Sequence, residues 1–201
     1  MSYRQFTLAT LEKTFQLTIV EKVALFANTA TLSSSPLLTE ILNYNVPLAV
    51  ANNTEKARSE MIIAPVLIEL KRQLPNQMSL FSGAEFKVDE NTGLVGYCDF
   101  IISLSLEQLF VKAPIIMLVE AKNENIKGGL GQCVAEMLAA QIFNQREQNP
   151  ITTIYGVVTT GTIWQFLRLT DHQVEIDLKE YYLSEIDQIL GILKAGIQNG
   201  A

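Results

Sequence analysis

The sequence predicts an α/β fold in which a helix, three strands, a second helix and two more strands follow one another. Apolar residues recur at helical spacing over residues 54–73, and short apolar runs bounded by turn residues occupy 78–122 and 151–169. Of the 201 residues, 48% are hydrophobic and 18% are charged, which is the composition of an ordinary globular protein. We therefore expect a single domain, residues 1–201, with a substantial core.

The first 53 residues are predicted to form a helical segment, residues 1–53, packed on the main domain. Short helices are expected over residues 8–17 and 36–43, separated by polar stretches rich in Asn, Thr and Ser. Pro36 follows three serines, and proline in this position is typical of the first turn of a helix. Nothing in this segment indicates chemistry.

The first long helix is expected over residues 54–73. Its apolar positions form one stripe, and Glu60 falls on that inward-facing stripe, where a carboxylate is unexpected. Pro65 lies inside the helix and predicts either a kink or a new first turn.

The centre of the chain is predicted to form strands joined by turns, with one long helix between them. The strands are expected at about 78–88, 94–104, 114–122, 151–159 and 163–169, with a hairpin turn at 89–93 and the helix at 131–146. A flexible polar loop is expected over residues 123–129. The last segment, residues 171–201, is predicted to be helical, with a helix over 184–197 that Ser184 caps.

The strongest chemical signal is an apolar strand, Ile115–Lys122, that ends in Glu-x-Lys. Because side chains alternate along a strand, Glu120 and Lys122 point to one face, about 7 Å apart. An earlier apolar strand carries Asp99 in its middle, against both strand propensity and burial. Charged groups in such places are costly to desolvate unless they form an ion pair or take part in binding or catalysis. Two carboxylates and a lysine on adjacent strands predict a divalent-metal site.

This ordered set of motifs resembles the PD-(D/E)xK, or restriction-endonuclease-like, nuclease superfamily. Asp99 is followed, after a gap, by the strand that carries Glu120-Ala121-Lys122, which is the superfamily's signature. The run Ser59–Leu67 resembles the first-helix motif of many members. The resemblance covers residues 54–170 and implies a restriction-endonuclease-like core. In such a core, helices flank a central mixed β-sheet and the elements follow the order α-β-β-β-α-β-β.

The resemblance also implies an activity, the divalent-metal-dependent hydrolysis of nucleic acid, with DNA as the expected partner. Asp99 and Glu120 would hold Mg²⁺ or Mn²⁺, with the Ala121 carbonyl and Glu60 as further ligands. Lys122 would orient or deprotonate the attacking water, or stabilise the developing charge.

Two residues of the predicted helix at 131–146 complete the candidate site. Gln132 stands near the helix start, where many members place a glutamine that faces the site or a phosphate. Members of the exonuclease-like branch often have a tyrosine four residues later, whereas this chain has Glu136. Because Glu136 shares a helix face with Gln132, it is either a further polar wall or an exposed residue.

Each of these residues also has a purely structural interpretation. Glu120 and Lys122 can form a structural ion pair, Glu60 can stand at a solvated helix edge, and Gln132 can be an ordinary helix-entry residue. The functional alternative is a nuclease-like binding or assembly module with weak or no catalysis. The net charge of −6 and pI near 4.9 favour it, because they argue against a broad basic surface for nucleic acid. Four basic helix residues either flank a nucleic-acid groove or only solubilise the helix: Lys56, Arg58, Lys71 and Arg72.

Several other chemistries lack their residues. Cys98 and Cys133 form no disulfide framework or metal-ligand spacing and are expected in the core. His172, the single histidine, is expected in a solvated turn, which excludes serine-hydrolase and histidine-zinc sites. No apolar stretch has the length of a membrane span and the N-terminus lacks an apolar signal core, so a cytoplasmic location is expected. A homo-oligomer or a partner subunit is compatible with the resemblance, although no coiled-coil heptad is visible.

Overall fold

In the described part of the chain, eight strands pair into one open, mixed sheet, and apolar cores form where helices pack on it. The computed structural model describes residues 2–22 and 24–199, so positions 1, 23, 200 and 201 of the expected domain lie outside the described residues. The strands are β1 (Thr18–Lys22), β2 (Ser79–Asp89), β3 (Leu94–Ser103), β4 (Ile115–Ala121), β5 (Thr153–Thr159), β6 (Ile163–Thr170), β7 (Gln173–Asp177) and β8 (Tyr181–Tyr182). The helices are α1 (Leu8–Phe15), α2 (Pro36–Asn52), α3 (Glu55–Arg58), α4 (Ala64–Gln73), α5 (Ile126–Arg146) and α6 (Ile186–Gln198).

The strands are ordered β1-β7-β6-β5-β4-β3-β2 across the sheet, and β8 pairs with β6. The predicted α/β fold, a mixed sheet flanked by helices, is confirmed. β2 and β3 form the predicted antiparallel hairpin around the turn at 90–93. Among the described residues, no helix combines the length and the apolar character needed to cross a membrane.

The middle of the sheet is its most buried part. All seven residues of β4 are buried, as expected for a continuous apolar run covered on both faces. β4 pairs antiparallel with β3 and parallel with β5, and α5 makes the crossover from β4 to β5. This connection brings the carboxyl end of β4 close to the first turns of α5.

Helix α5 lies close against β5, and 15 of its 21 residues are buried. Two glycines permit this approach. A Cβ atom at Gly156 would lie 2.3 Å from Met137 Sδ, and one at Gly129 would lie 2.7 Å from Val158 Cγ1. Because close-packed interiors cannot absorb such overlaps without movement, a larger residue at either position would displace the helix or its neighbours.

A π-helical turn, Ser59–Ile63, joins α3 to α4 and makes the first long helix continuous over residues 55–73. Pro65 lies in the first turn of α4 and has no N–H to give to the preceding turn. The Met61 carbonyl oxygen accepts a hydrogen bond from Asn45 Nδ2 at 2.9 Å. Pro65 thus stands directly after a change of helical register, and the carbonyl oxygen that its missing N–H leaves free has a side-chain partner.

The π turn also changes which residues of this helix face the core. Its buried apolar stripe runs through Ile62, Ile63, Val66, Leu67 and Leu70. Glu60 is 62% exposed, and its Oε1 lies 3.7 Å from Lys56 Nζ. The prediction that Glu60 faces inward is therefore wrong, because regular α-helical periodicity does not hold through residues 59–63.

The two terminal segments were predicted to be helical, but both also contain strands. β1 belongs to the N-terminal segment and pairs in parallel with β7, while β7 and β8 belong to the C-terminal segment. These strands have only two to five residues. Sequences this short acquire strand character from their pairing partners rather than from their own pattern.

Three helix boundaries also differ from prediction. α2 continues to Asn52 with Pro47 inside it, and α5 begins at Ile126 instead of 131. Asn125 caps α5, because its Oδ1 accepts a hydrogen bond from Gly128 N at 3.0 Å. The polar loop predicted over 123–129 is therefore helical from Ile126. α6 begins after a 3₁₀ turn, Leu183–Glu185, so Ser184 is not its N-cap.

Candidate active site

Adjacent strands bring Asp99 and Glu120 together. Phe100 on β3 is in register with Val119 on β4, and extending this register by one residue sets Asp99 opposite Glu120. Asp99 Oδ2 accepts a hydrogen bond from the Ala121 backbone N–H at 2.8 Å. The Asp99 side chain thus takes the place of a backbone acceptor where the ladder between β3 and β4 ends.

Glu120 is the buried acid of the site. Its side chain is 1% exposed, Oε1 accepts a hydrogen bond from Lys122 Nζ, and Oε2 has no partner among the described residues. Burial and the nearby Asp99 together raise the pKa of Glu120 to about 8, although Lys122 opposes the shift.

Lys122 lies at the centre of a polar cluster. Its Nζ contacts Glu120, lies 3.8 Å from Glu55 Oε2 and lies 3.5 Å from Gln132 Oε1. Burial lowers the pKa of Lys122, but Glu120, Glu55 and Asp99 together raise it by more, so the net shift is upward. Glu120 and Lys122 share a face, as predicted, and the lysine holds several acceptors together.

Gln132 and Glu136 form the α5 wall of this cluster. Gln132 is 5% exposed, and its Nε2 donates a hydrogen bond to Glu136 Oε1 at 3.0 Å. Glu136 is fully buried, and its Oε2 has no partner among the described residues. Burial raises the pKa of Glu136 well above its usual value, and Glu120 adds to this shift. Of the two interpretations of Glu136, the structure supports the buried polar wall.

The acid that the first long helix contributes is Glu55 rather than Glu60. Glu55 is in the first turn of α3, directly after Thr54, whose Oγ1 caps the helix by accepting a hydrogen bond from Ala57 N at 3.1 Å. The capping sequence was a usable signal, because it places Glu55 at the helix start. The apolar stripe selected Glu60 instead, because the stripe was drawn for a regular α-helix, which the π turn at Ser59–Ile63 interrupts.

The four basic helix residues do not line an open groove. Arg58 is buried, and it donates hydrogen bonds to Asn53 Oδ1 and to the Thr160 carbonyl oxygen. Lys71 donates to the Met78 carbonyl oxygen at 2.8 Å, and Arg72 pairs with Glu69 at 3.1 Å. Lys56 is 82% exposed beside Glu60. All four therefore have partners within the protein, and Lys56 is the most exposed of them.

The site offers oxygen ligands, which hard divalent cations prefer, but only a few of them. Within residues 2–22 and 24–199, no group of three or more His, Cys, Asp or Glu side chains could hold a metal ion. Asp99 and Glu120 supply two carboxylates, and the Ala121 carbonyl adjoins them in the chain. Mg²⁺ keeps several waters and is commonly bound through one or two carboxylates. The unpartnered, buried Glu120 Oε2 is an acceptor suited to such an ion.

The remaining candidates for chemistry are structural. Cys98 and Cys133 are buried free thiols, as predicted, and burial raises the pKa of each. His172 is exposed in the turn between β6 and β7. Comparison of the chain with protein-family models, with curated proteins and with solved structures found no match.

Proposed function

We propose that this protein is a divalent-metal-dependent nuclease of the PD-(D/E)xK type that hydrolyses phosphodiester bonds in DNA. The observation that carries the proposal is the Glu120 carboxylate, which is buried with an unpartnered Oε2, opposite Asp99 and beside Lys122. The order of elements supports it. The first long helix, β2, β3, β4, α5, β5 and β6 follow the sequence expected of a restriction-endonuclease-like core.

Asp99, Glu120 and the Ala121 main-chain carbonyl would hold Mg²⁺ or Mn²⁺ in this proposal. Glu60 points into solvent and is not proposed as a ligand. When bound, the cation would neutralise charge at the phosphate and lower the pKa of a water molecule. The buried Glu120 oxygen would then have the partner that it lacks among the protein's own described groups.

Lys122 is the cationic group that contacts Glu120 among the described residues. Two acids, Glu120 and Glu55, lie within 4 Å of its ammonium and favour its charged form. We therefore assign Lys122 the stabilisation of negative charge that develops on the phosphate, rather than proton abstraction from water. Gln132 helps to position the ammonium, because its Oε1 accepts from Lys122 Nζ at 3.5 Å.

A nuclease-like binding or assembly module is the second candidate. One observation favours it: the described residues offer two clustered carboxylates rather than three, and one of them already pairs with Lys122. Such a module would keep the fold and bind nucleic acid or protein without metal-dependent turnover.

Metal titration and cleavage assays on one preparation separate the two functions. Protein stripped with EDTA is mixed with labelled single-stranded and duplex DNA, with and without Mg²⁺ or Mn²⁺. The nuclease proposal expects slow cleavage that requires the metal and is absent in Glu120→Gln. Cleavage that persists undiminished in the Asp99→Asn/Glu120→Gln double variant would locate the activity elsewhere. Clear metal binding without cleavage of any tested DNA or RNA would favour the module.

A further inference from the structure

An exposed aromatic side chain stands on the strand that carries Asp99. Tyr97 is 61% exposed, although it lies in β3, whose neighbouring residue Cys98 is fully buried. Two residues along a strand separate Tyr97 from Asp99, which corresponds to about 7 Å. A large aromatic ring left in water beside a candidate phosphodiesterase site presents a flat apolar surface to whatever binds there.

Tyr97 lines a surface cleft with the N-terminal residues of the chain. The cleft has a volume of about 360 Å³, and it is lined by Ser2, Tyr3, Arg4, Gly96 and Tyr97. This space can admit a planar ring without rearrangement of the strands.

The N-terminal wall of the cleft is held firmly by Tyr3. The Tyr3 side chain is buried, and its hydroxyl donates to the carbonyl oxygens of Phe86 and Leu94, 3.0 and 3.1 Å away. A Cβ atom at Gly96 would lie 2.8 Å from Tyr3 Cδ2, so glycine lets the ring press against β3. Arg4 follows directly in the chain and lines the same cleft.

Arg4 is available to an external anion. It is exposed and pairs with no carboxylate in the described part of the chain. The guanidinium group has a planar donor fork that matches phosphate oxygens. A tyrosine ring stacks on nucleobases with little regard to their identity. An arginine and a tyrosine in one cleft thus present the two recognition groups that a nucleotide requires.

We propose that the Tyr97–Arg4 cleft binds an unpaired nucleotide adjacent to the scissile phosphate. Tyr97 stacks on the base, and Arg4 contacts the phosphate of that nucleotide. A base has a free face for such stacking only when it is unstacked, so the substrate class is single-stranded nucleic acid, including frayed ends and flaps. This inference rests on the proposed nuclease function for the position of the scissile phosphate, but binding in the cleft needs no metal.

The test measures binding of the full chain to a fluorescently labelled oligothymidylate and to a duplex of equal length, by anisotropy in EDTA at low salt. Tyr97→Ala should weaken binding to the single strand roughly tenfold, whereas Tyr97→Phe, which keeps the ring, should change it little. Arg4→Ala should weaken binding and reduce its dependence on salt concentration. Tyr44→Ala is the matched control, because Tyr44 is also exposed, at 74%, but stands on α2. It should bind as the wild type does.

The outcome is independent of catalysis, since EDTA removes any metal. Single-strand binding by Tyr97→Ala within twofold of wild type, or equally tight binding of wild type to the duplex, would overturn the inference. So would an absence of oligonucleotide binding by the wild type. If instead the metal and cleavage assays fail while Tyr97→Ala still loses affinity, the cleft stands as a nucleotide site and the nuclease proposal falls. Thermal melts of each variant confirm that the fold is intact.

Discussion

Glu55 Oε2 lies 3.8 Å from Lys122 Nζ, although the two residues are on different layers of the fold and 67 positions apart in the chain. Lys122 is therefore held by acids from two directions, Glu120 from its own strand and Glu55 from the start of α3. This arrangement restricts where the ammonium can stand relative to Asp99. The first long helix carries two acids, Glu55 and Glu60, of which Glu55 lies near Lys122. Comparing substitutions at these two positions therefore tests the role of the helix.

Glu55→Gln and Glu60→Gln form a matched pair. Both remove one charge from the same long helix, but only Glu55 contacts Lys122, whereas Glu60 faces solvent beside Lys56. Glu55→Gln should slow cleavage about tenfold, because a less restrained ammonium is misplaced at the phosphate. Glu60→Gln should cleave as the wild type does. Single-turnover rates decide the matter, and a loss confined to Glu60→Gln would contradict the assigned geometry.

Asp99→Asn and Glu120→Gln should each abolish stabilisation by metal. A ligand present at 100 times its dissociation constant stabilises the folded state by about 2.7 kcal/mol, and removal of a carboxylate ligand removes this gain. Thermal melts with and without Mn²⁺ measure it on protein shown beforehand to be metal-free. Glu85→Gln is the control, because Glu85 is 47% exposed and pairs with Lys87 on β2. Melting curves of wild type that do not respond to metal would count against the site.

Lys122→Met should separate chemistry from metal binding. Methionine keeps an unbranched side chain beside Gly129, but it has no charge for the phosphate. We expect the cleavage rate to fall by about 10²-fold or more, because the lysine acts on transition-state charge. The metal-induced shift in melting temperature should persist. Equal loss of both properties would show that Lys122 acts only as a structural support.

Glu136→Gln should alter how stability depends on pH. Burial raises the pKa of Glu136 well above its usual value of 4.5, so the folded state binds more protons than the unfolded state at higher pH. The free energy of unfolding of the wild type therefore falls as pH rises above that value, by up to about 1.4 kcal/mol per pH unit for each extra bound proton. The variant cannot ionise at this position and should lose less stability.

Urea unfolding in EDTA at about pH 5 and about pH 8 provides the measurement for Glu136→Gln. Glu120 contributes in the same direction in both proteins, because its pKa is raised to about 8. Since Glu120 also raises the pKa of Glu136, the difference between the two proteins reports residue 136 together with its coupling to Glu120. Identical losses of stability in the two proteins would mean that Glu136 does not change its protonation over this range.

The central part of the fold and the strand residues of the site were predictable from local signals. A continuous apolar run is typical of a strand covered on both faces, and β4 has all seven residues buried. The hairpin of β2 and β3 followed from its turn residues. An acid inside an apolar strand identified Asp99, and alternation placed Glu120 and Lys122 on one face.

The remaining features depend on contacts that no local pattern carries. β1 and β7 pair with each other from opposite ends of the chain. The position of Glu60 depends on a π turn, which breaks the periodicity that a sequence-based prediction assumes. The burial of Glu136 follows from how closely α5 packs, because a carboxylate beside a glutamine on a helix is equally compatible with an exposed face.

The contact between Gly156 and Met137 has a consequence for genetics. Gly156 sets how near α5 lies to β5, and α5 carries Gln132 to within 3.5 Å of Lys122. A methyl group at position 156 would overlap the Met137 and Cys133 side chains of α5, so either these side chains or the helix that carries Gln132 would have to shift, without a change to any ionisable residue. A selection for loss of cleavage should therefore recover substitutions at Gly156 as well as at the acids. Because such alleles keep Asp99, Glu120 and Lys122, a comparison of these residues alone would classify them as active.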